Sequence, residues 1–280
     1  MAWRGIGDVN IINLRDYYLE VSRGTVDGMT CVNKFGRAPD GIQQTLTDIW
    51  DRADSDATQQ IWIAPTQART HQILSTSDED SDSGGTVAQG DGARTIRVFG
   101  LTGWGAKETS EDIIMDGTAT GVNSVDTVNS YVIIHRMRVL TKGPDDVNVG
   151  TITAIADTDA TITAQINPSE GQTQMAIYGI PSTQTAYMTM FYGSAHDGGV
   201  GVSAYRADLL LKVNPEPNAE LTNFLIKNSN GVQSDGTGYI QHEFAPYFKI
   251  PGPAIIKIQM IGTADDGDAS AGFDLILVDN

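Results

Sequence analysis

The fold class is decided by one stretch, Tyr131-Val-Ile-Ile-His-Arg-Met-Arg-Val-Leu140. One face of this stretch is mainly apolar and contains Tyr131, Ile133, His135, Met137 and Val139. Arg136 and Arg138 point to the other face. A period of two is typical of a half-buried strand in an antiparallel sheet. The stretch therefore predicts a β-strand with His135 on its buried side.

The same alternation recurs along the chain, so an all-β fold is expected. It is found in Ala254 to Ile261 and in Phe273 to Leu277, and two further strands are predicted over Thr185 to Tyr192 and Arg206 to Val213. Asp-Gly pairs, which favour tight turns, separate the short apolar runs. They begin at Asp27, Asp40, Asp91, Asp116, Asp197, Asp235 and Asp266.

A repeated tetrapeptide predicts one hairpin. Thr151-Ile-Thr-Ala154 recurs as Thr161-Ile-Thr-Ala164, with Asp157-Thr-Asp159 between the copies as a turn. Helical periodicity is almost absent. The one predicted helix is short and runs from about Ile42 to Arg52, because its apolar residues fall near one helical face.

Strand spacing predicts two antiparallel β-sandwich domains, jelly-roll-like, preceded by an extended N-terminal arm. The arm covers residues 1–60, the first sandwich residues 61–168 and the second residues 169–280. The linker is Asn167-Pro-Ser-Glu-Gly171. An alternative for the first 60 residues is that they form edge strands of the first domain.

Charge and cysteine content limit the kinds of partner and the cellular compartment that we expect. The net charge is −17, from 35 acidic and 18 basic residues, which opposes binding to nucleic acid or to an anionic membrane. Cys31 is the single cysteine, so no intramolecular disulfide forms and synthesis in a host cytoplasm is expected. We expect neither a signal peptide nor a membrane span, since no apolar run approaches ~20 residues.

A weak calcium candidate consists of Asp78, Asp80 and Asp82, spaced two apart as in a calcium loop. The match then fails, because Gln89 stands where a bidentate Glu is needed. A second candidate on the same terms is Asp265-Asp-Gly-Asp268. An acidic, solvated loop is the favoured interpretation, so we expect no cofactor and leave weakly bound calcium open.

Catalytic motifs are missing from the sequence, which predicts a non-enzymatic protein. There is no Gly-x-Ser-x-Gly elbow, Cys31 has no histidine near it in sequence, and Gly100 to Lys107 lacks the ending of a phosphate loop. His135 is expected to be a hydrogen-bonded core residue rather than a ligand. Thirty-five acids always provide some close pair, so a glycoside hydrolase stays an alternative.

Aromatic residues are the remaining candidates for binding sugars or proteins, although packing inside the fold is favoured. They are Trp50, Trp62 and Trp104 in the first half and Tyr239, Phe244, Tyr247 and Phe248 in the second.

Several stretches resemble virion structural proteins of tailed bacteriophages, a family common in marine phages. The stretches are Tyr17-Tyr-Leu-Glu-Val-Ser-Arg-Gly24, Val32-Asn-Lys-Phe-Gly-Arg37, Ala68-Arg-Thr-His71, Gly92-Ala-Arg-Thr-Ile-Arg-Val-Phe-Gly-Leu101, Asn129-Ser-Tyr-Val-Ile-Ile-His-Arg-Met137 and Gly171-Gln-Thr-Gln-Met-Ala-Ile-Tyr178. The resemblance implies a structural role in the particle, with no cofactor and no activity.

The leading hypothesis is a capsid decoration or cement protein on the virion exterior. We expect a homotrimer that contacts itself and other virion proteins such as the major capsid protein. Candidate docking residues in the arm are Arg15, Arg23, Lys34, Phe35 and Arg37. The alternatives are a neck, baseplate or tail-fibre-adaptor protein, and a carbohydrate-binding or degrading receptor module.

Overall fold

The computed structural model describes residues 17–42, 44–53, 59–119, 125–144, 147–196, 205–234, 237–264 and 267–280. Sixteen strands and one short helix form within these residues, which confirms the predicted all-β class. The helix is α1 (Tyr17–Ser22). The strands are β1 (Met29–Ile42), β2 (Thr47–Asp48), β3 (His71–Ser75), β4 (Ala93–Leu101), β5 (Thr109–Ile114), β6 (Val125–Asp126), β7 (Ile133–Lys142), β8 (Ile152–Ala156), β9 (Ile162–Ile166), β10 (Ile177–Ile180), β11 (Gln184–His196), β12 (Tyr205–Asn214), β13 (Leu225–Ser234), β14 (Thr237–Pro251), β15 (Ala254–Gly262) and β16 (Gly267–Asp279).

The described strands form four antiparallel sheets. Sheet I has the order β1-β16-β11-β14, and sheet II has the order β10-β15-β12-β13 with β2 beside β15. Sheet III has the order β6-β3-β8-β9, and sheet IV has the order β5-β4-β7. Strands of sheets I and II contact each other in a sandwich-like pair. A single cluster of buried apolar side chains runs through both halves of the chain, from Trp50 and Ile96 to Phe273.

The N-terminal region does not lie apart from the sheets where the structure describes it. The prediction of an extended arm is wrong for Met29–Ile42, because β1 pairs with β16 from Met29 opposite Val278 onward. β2 likewise pairs with β15. Since backbone N–H and C=O groups must find partners, a strand from the far end of the chain holds this segment in place. The boundaries at residues 60 and 168 and the jelly-roll-like two-domain arrangement stay predictions.

Alternation and the tetrapeptide repeat located several strands correctly. β7, β15 and β16 cover the predicted alternating stretches, and β8 pairs with β9 with Ala154 opposite Ala164. The predicted helix from Ile42 to Arg52 is wrong, because this part of the chain contains β2 and turns. Its apolar residues Ile49 and Trp50 are nevertheless fully buried, so the core is reached without a helix.

Candidate functional site

A cleft runs along the outer edge of β1, where this strand pairs with no other described strand, and it lies between β1 and the loop that precedes β5. Its volume is about 470 Å³, and its lining includes Lys107, Glu108, Tyr178, Gln184 and Asp279. β1 reaches the cleft because it is the last strand of sheet I, with β16 on its other side. The cleft therefore lies where sheet I approaches β10 and the end of the β4–β5 loop.

A smaller space of about 140 Å³ adjoins this cleft, and we call it the basic pocket. Its lining residues are Cys31, Val32, Asn33, Lys34, Glu108, His135, Arg136 and Tyr178. Four of them, Cys31, Val32, Glu108 and Tyr178, also line the cleft. The basic pocket and the cleft are therefore adjacent.

Lys34 is the unusual residue of the basic pocket, because its ammonium group is buried. The residue is 3% exposed, and Nζ donates a hydrogen bond to the backbone oxygen of His135 at 2.5 Å. Burial, together with the charge of Arg136, lowers the pKa of Lys34 to about 7, against the opposing effects of Glu108 and Asp51. The lysine therefore changes charge near neutral pH.

His135 and Glu108 form a hydrogen-bonded pair beside Lys34. The distance from His135 Nε2 to Glu108 Oε2 is 2.6 Å, and the Tyr178 hydroxyl donates to the same carboxylate at 3.4 Å. The rings of His135 and Tyr178 lie 4.4 Å apart. Burial lowers the pKa of His135, and the opposing effect of Glu108 is smaller. Burial raises the pKa of Glu108, but the charged and hydrogen-bonding neighbours of Glu108 lower it by more, so its net shift is downward. At neutral pH the pair is an imidazole and a carboxylate, which matches the prediction of a hydrogen-bonded core histidine.

Arg136 completes the charge of the basic pocket. It follows His135 on β7 and lies opposite Phe99 of β4, half-buried. None of the residues that the structure describes accepts a hydrogen bond from its guanidinium group. Lys34 and Arg136 therefore bring two cations to one space, against the single carboxylate of Glu108.

The carboxylates of the calcium candidate are not brought together around one point. Thr118 donates its backbone N–H and its hydroxyl to Asp78, and Ser83 and Gln89 donate to Asp82. Across the described ranges, no group of three or more His, Cys, Asp or Glu residues is arranged to hold a metal ion. Asp268 of the second candidate contacts His196 at 3.0 Å, while Asp265 and Asp266 lie outside the described residues.

Asp80 is fully buried, although the sequence suggested a solvated loop. Its Oδ1 accepts hydrogen bonds from the backbone N–H groups of Ala93 and Val149, both at 2.8 Å. Its Oδ2 accepts from the Ser75 hydroxyl at 2.6 Å and from the Gly150 N–H at 2.8 Å. The carboxylate thus connects the end of β3, the start of β4 and the loop before β8.

The candidate docking residues fall into separate places. Lys34, a docking candidate, is buried and lines the basic pocket. Arg23 is exposed and contacts Glu20 at 3.3 Å. Phe35 and Arg37 lie two residues apart on the solvent face of β1, opposite Gly272 and Ser270. Arg15 lies outside the described residues.

Two further expectations concern Cys31 and the aromatic residues. Cys31 is an exposed residue. The pKa of its thiol is raised, mainly by partial burial and to a smaller extent by the negative charge of Asp274, so little reactive thiolate forms. Trp50 and Trp62 pack in the core as expected, whereas Tyr239 and Tyr247 are exposed.

The basic pocket joins residues that no sequence motif connects. Lys34 and His135 are 101 positions apart, and the alternation on β7 was the one signal that placed His135 inside. Arg136 was correctly assigned to the opposite face from His135.

Comparison with known proteins yields little. No protein-family model matches the chain, and no curated protein matches it. Among solved structures, the chain matches the crystal structure of the infectious bursal disease virus VP2 subviral particle. The match has 12% sequence identity and a TM-score of 0.21, and it covers 91% of this chain and 73% of that chain. This is a weak structural likeness to a viral capsid protein.

None of the helices in the described ranges has the length and apolar character needed to cross a bilayer.

Proposed function

We propose that this chain is a structural protein of a tailed-phage virion that decorates the outer surface of the capsid. The sequence resemblance supports the virion assignment, and the all-β framework suits a protein that acts through its surfaces. In this proposal, symmetric copies, expected to be trimers, bind across junctions of the shell. Many modest contacts are then multiplied by symmetry.

An exposed group of aromatic and apolar side chains carries the proposal. Tyr17, Tyr18 and Leu19 on α1 and Tyr247 on β14 are each about half exposed, and we call them the tyrosine patch. The ring centroids of Tyr18 lie 6.3 Å from those of both Tyr17 and Tyr247. Aromatic residues are enriched in protein interfaces because they combine a large apolar area with a polar end. The patch therefore suits contact with another protein.

Net charge supports an outer position. A chain with a charge of −17 is repelled by packaged nucleic acid, so a genome-facing location is disfavoured. Synthesis in the host cytoplasm agrees with the single, exposed Cys31.

Labelling of virions tests the proposal. Gold-labelled antibodies against this chain are applied to purified particles, and the number of copies per particle is measured by quantitative mass spectrometry. We expect label over the whole head and hundreds of copies per particle. Label confined to the neck, baseplate or fibres, with a few tens of copies or fewer, would overturn the decoration role and favour the tail alternative.

Variants of the tyrosine patch test the contact itself. Tyr18→Ser combined with Tyr247→Ser is expected to weaken binding to capsids that lack this chain by at least about tenfold, roughly 1.4 kcal/mol. Tyr239→Ser is the matched control, since Tyr239 is an exposed tyrosine on the same strand β14 but outside the patch. Equal binding by both variants would contradict a contact through the patch.

A specific observation also favours glycan binding as a second candidate. The solvent face of sheet I carries Phe35 on β1, Tyr192 on β11 and Tyr239 on β14, and both Phe35 and Tyr192 lie opposite Gly272 of the intervening strand β16. Asn33 on β1 donates a hydrogen bond to Asp274 on β16 at 2.5 Å. Aromatic rings next to amide and carboxylate groups suit stacking on sugars and hydrogen bonding to their hydroxyls. Retention on host polysaccharide that is lost in Tyr239→Ser and kept in the patch variant would support this candidate over decoration.

A further inference from the structure

The basic pocket contains more hydrogen-bond donors than the fold uses. An ammonium group has three donors, and Lys34 donates one hydrogen bond, to the His135 backbone oxygen. A guanidinium group has five donors, and Arg136 donates none to the described part of the chain. Buried charged groups are normally paired, because burying an ionised group without partners is costly.

The charge balance of the basic pocket favours a singly charged anion. Lys34 and Arg136 contribute two positive charges, and Glu108 contributes one negative charge that is already hydrogen-bonded to His135. At neutral pH His135 carries no charge, since burial lowers its pKa. When Lys34 is protonated, below its pKa of about 7, the pocket is therefore left with one positive charge in a chain whose net charge is −17.

The volume of the space is sufficient for a small anion. At roughly 30 Å³ per water molecule, a volume of about 140 Å³ corresponds to roughly four or five waters. A guanidinium group matches a carboxylate with two parallel hydrogen bonds, and an ammonium group adds a point charge. The cleft along β1 adjoins this space at Glu108 and Tyr178, which line both.

We propose that the basic pocket binds a carboxylate group, held by the guanidinium of Arg136 and the ammonium of Lys34. This inference is independent of the proposed virion role, because it depends on the pocket residues alone. The carboxylate belongs either to a free small molecule or to an acidic side chain of a neighbouring protein, and both present the same chemistry.

Binding is expected to depend on pH because Lys34 loses its proton near neutrality. The groups that face it are Glu108 from the loop before β5, His135 and Arg136 from β7, Tyr178 from β10 and Asp51 after β2. Among the titratable groups that line the pocket, Lys34 is the one with a pKa of about 7. A bound carboxylate favours the protonated lysine, so binding above pH 7 takes up a proton.

Calorimetric titration of the purified full chain with acetate tests the inference. We expect binding at pH 6 that is at least about tenfold weaker at pH 8.5, because only roughly one Lys34 in thirty stays charged there. Repeating the titration at pH 7.5 in buffers with different ionisation enthalpies is expected to show proton uptake. The absence of acetate binding at pH 6, or binding with no pH dependence, would overturn the proposal.

Two charge-removing variants on one strand separate the pocket from general electrostatics. Arg136→Gln is expected to lower acetate affinity at pH 6 by at least about tenfold. Arg138→Gln is the control, because Arg138 points to the same side of β7 but is exposed and lies over the Phe99 ring. Thermal unfolding of both variants checks that they are folded. Equal losses in the two variants would contradict a specific site.

The Arg136→Gln variant also identifies the source of the carboxylate. Reduced attachment of Arg136→Gln to capsids, together with competition by acetate against wild-type attachment, would indicate an acidic side chain of a neighbouring protein. Unchanged attachment with acetate binding retained in wild type would indicate a free small molecule. Both results support the pocket, and failure of the virion role leaves the titration unaffected.

Discussion

The acidic loop at residues 78–82 and the basic pocket both contain a buried charge, but the two sites treat it differently. The Asp80 carboxylate accepts four hydrogen bonds, from Ser75, Ala93, Val149 and Gly150. The Lys34 ammonium donates one, and the neighbouring Arg136 guanidinium donates none to the described residues. A buried charge whose bonding capacity is used by its own chain holds the fold together, whereas unused donors are available to a ligand.

Removal of Asp80 is expected to give the largest effect on stability. Asp80→Ala leaves three backbone N–H groups and one hydroxyl without acceptors inside the protein. We expect a loss of roughly 3–5 kcal/mol in the free energy of unfolding, measured by urea denaturation. The variant also removes the hydrogen bonds by which the carboxylate connects the end of β3 to the start of β4.

Asp82→Ala is the matched control for Asp80→Ala. Asp82 lies two residues away and accepts two hydrogen bonds, from Ser83 and Gln89, near the surface. A change within about 0.5 kcal/mol is expected for this exposed position. Similar losses at the two positions would show that the loop acts as a solvated acidic unit, as the sequence suggested.

A third buried charge, Lys257, is intermediate between Asp80 and Lys34, because it forms an ion pair with one buried carboxylate. Lys257 Nζ is 3.0 Å from Asp48 Oδ2, which also accepts the Trp62 N–H at 2.7 Å. Lys257→Met is expected to destabilise the fold by about 3 kcal/mol, since Asp48 is left as an unpaired buried carboxylate. Combining it with Asp48→Asn is expected to restore part of that loss, as measured in a double-mutant cycle.

Lys212→Met serves as the control for Lys257→Met. Lys212 lies opposite Lys257 on β12 and is partly exposed, so a change below about 0.5 kcal/mol is expected. If the double variant were as unstable as Lys257→Met alone, the loss would come from packing against Phe224, which Lys257 approaches at 4.3 Å.

The sequence predicted the parts of the fold that local patterns govern. Alternation identified β7 and β15, and a repeated tetrapeptide identified the β8–β9 hairpin. β1 was missed because Asn33 and Lys34 interrupt its apolar pattern and because its partner β16 lies at the other end of the chain. Pairing over such a separation leaves no local trace.

The candidate site was harder to predict for the same reason. His135 could be placed inside from its strand, but nothing in the sequence connects it to Lys34, which is 101 positions away. Lys34 was predicted to be a docking residue of the arm together with Arg23 and Arg37, and its residue type gave no sign of burial because lysines are almost never fully buried. The same default placed Asp80 in solvent, because the donors that surround it come from β3, β4 and a distant loop.

The smallest expected effect is a change in how stability depends on pH. It distinguishes the buried charge of Lys34, which has unused donors, from that of Asp80, whose hydrogen bonds are all made within the chain. The pKa of Lys34 is lowered to about 7 in the folded protein, from the ordinary value of 10.5. Above pH 7 the unfolded chain therefore binds more protons at this position than the folded chain, so stability rises with pH in this window. Between pH 6 and pH 8 the contribution is about 1 kcal/mol.

Lys34→Met is expected to remove the rise of stability with pH. Lys107→Met is the control, because Lys107 is an exposed lysine 2.6 Å from Asp279, and this variant is expected to keep the rise. Urea unfolding at several pH values in buffers free of carboxylates measures the difference. Acetate is expected to flatten the wild-type curve, because a bound carboxylate stabilises the charged lysine at low pH. An equal slope in wild type and Lys34→Met would mean that the ammonium of Lys34 is already satisfied, and the contrast with Asp80 would then disappear.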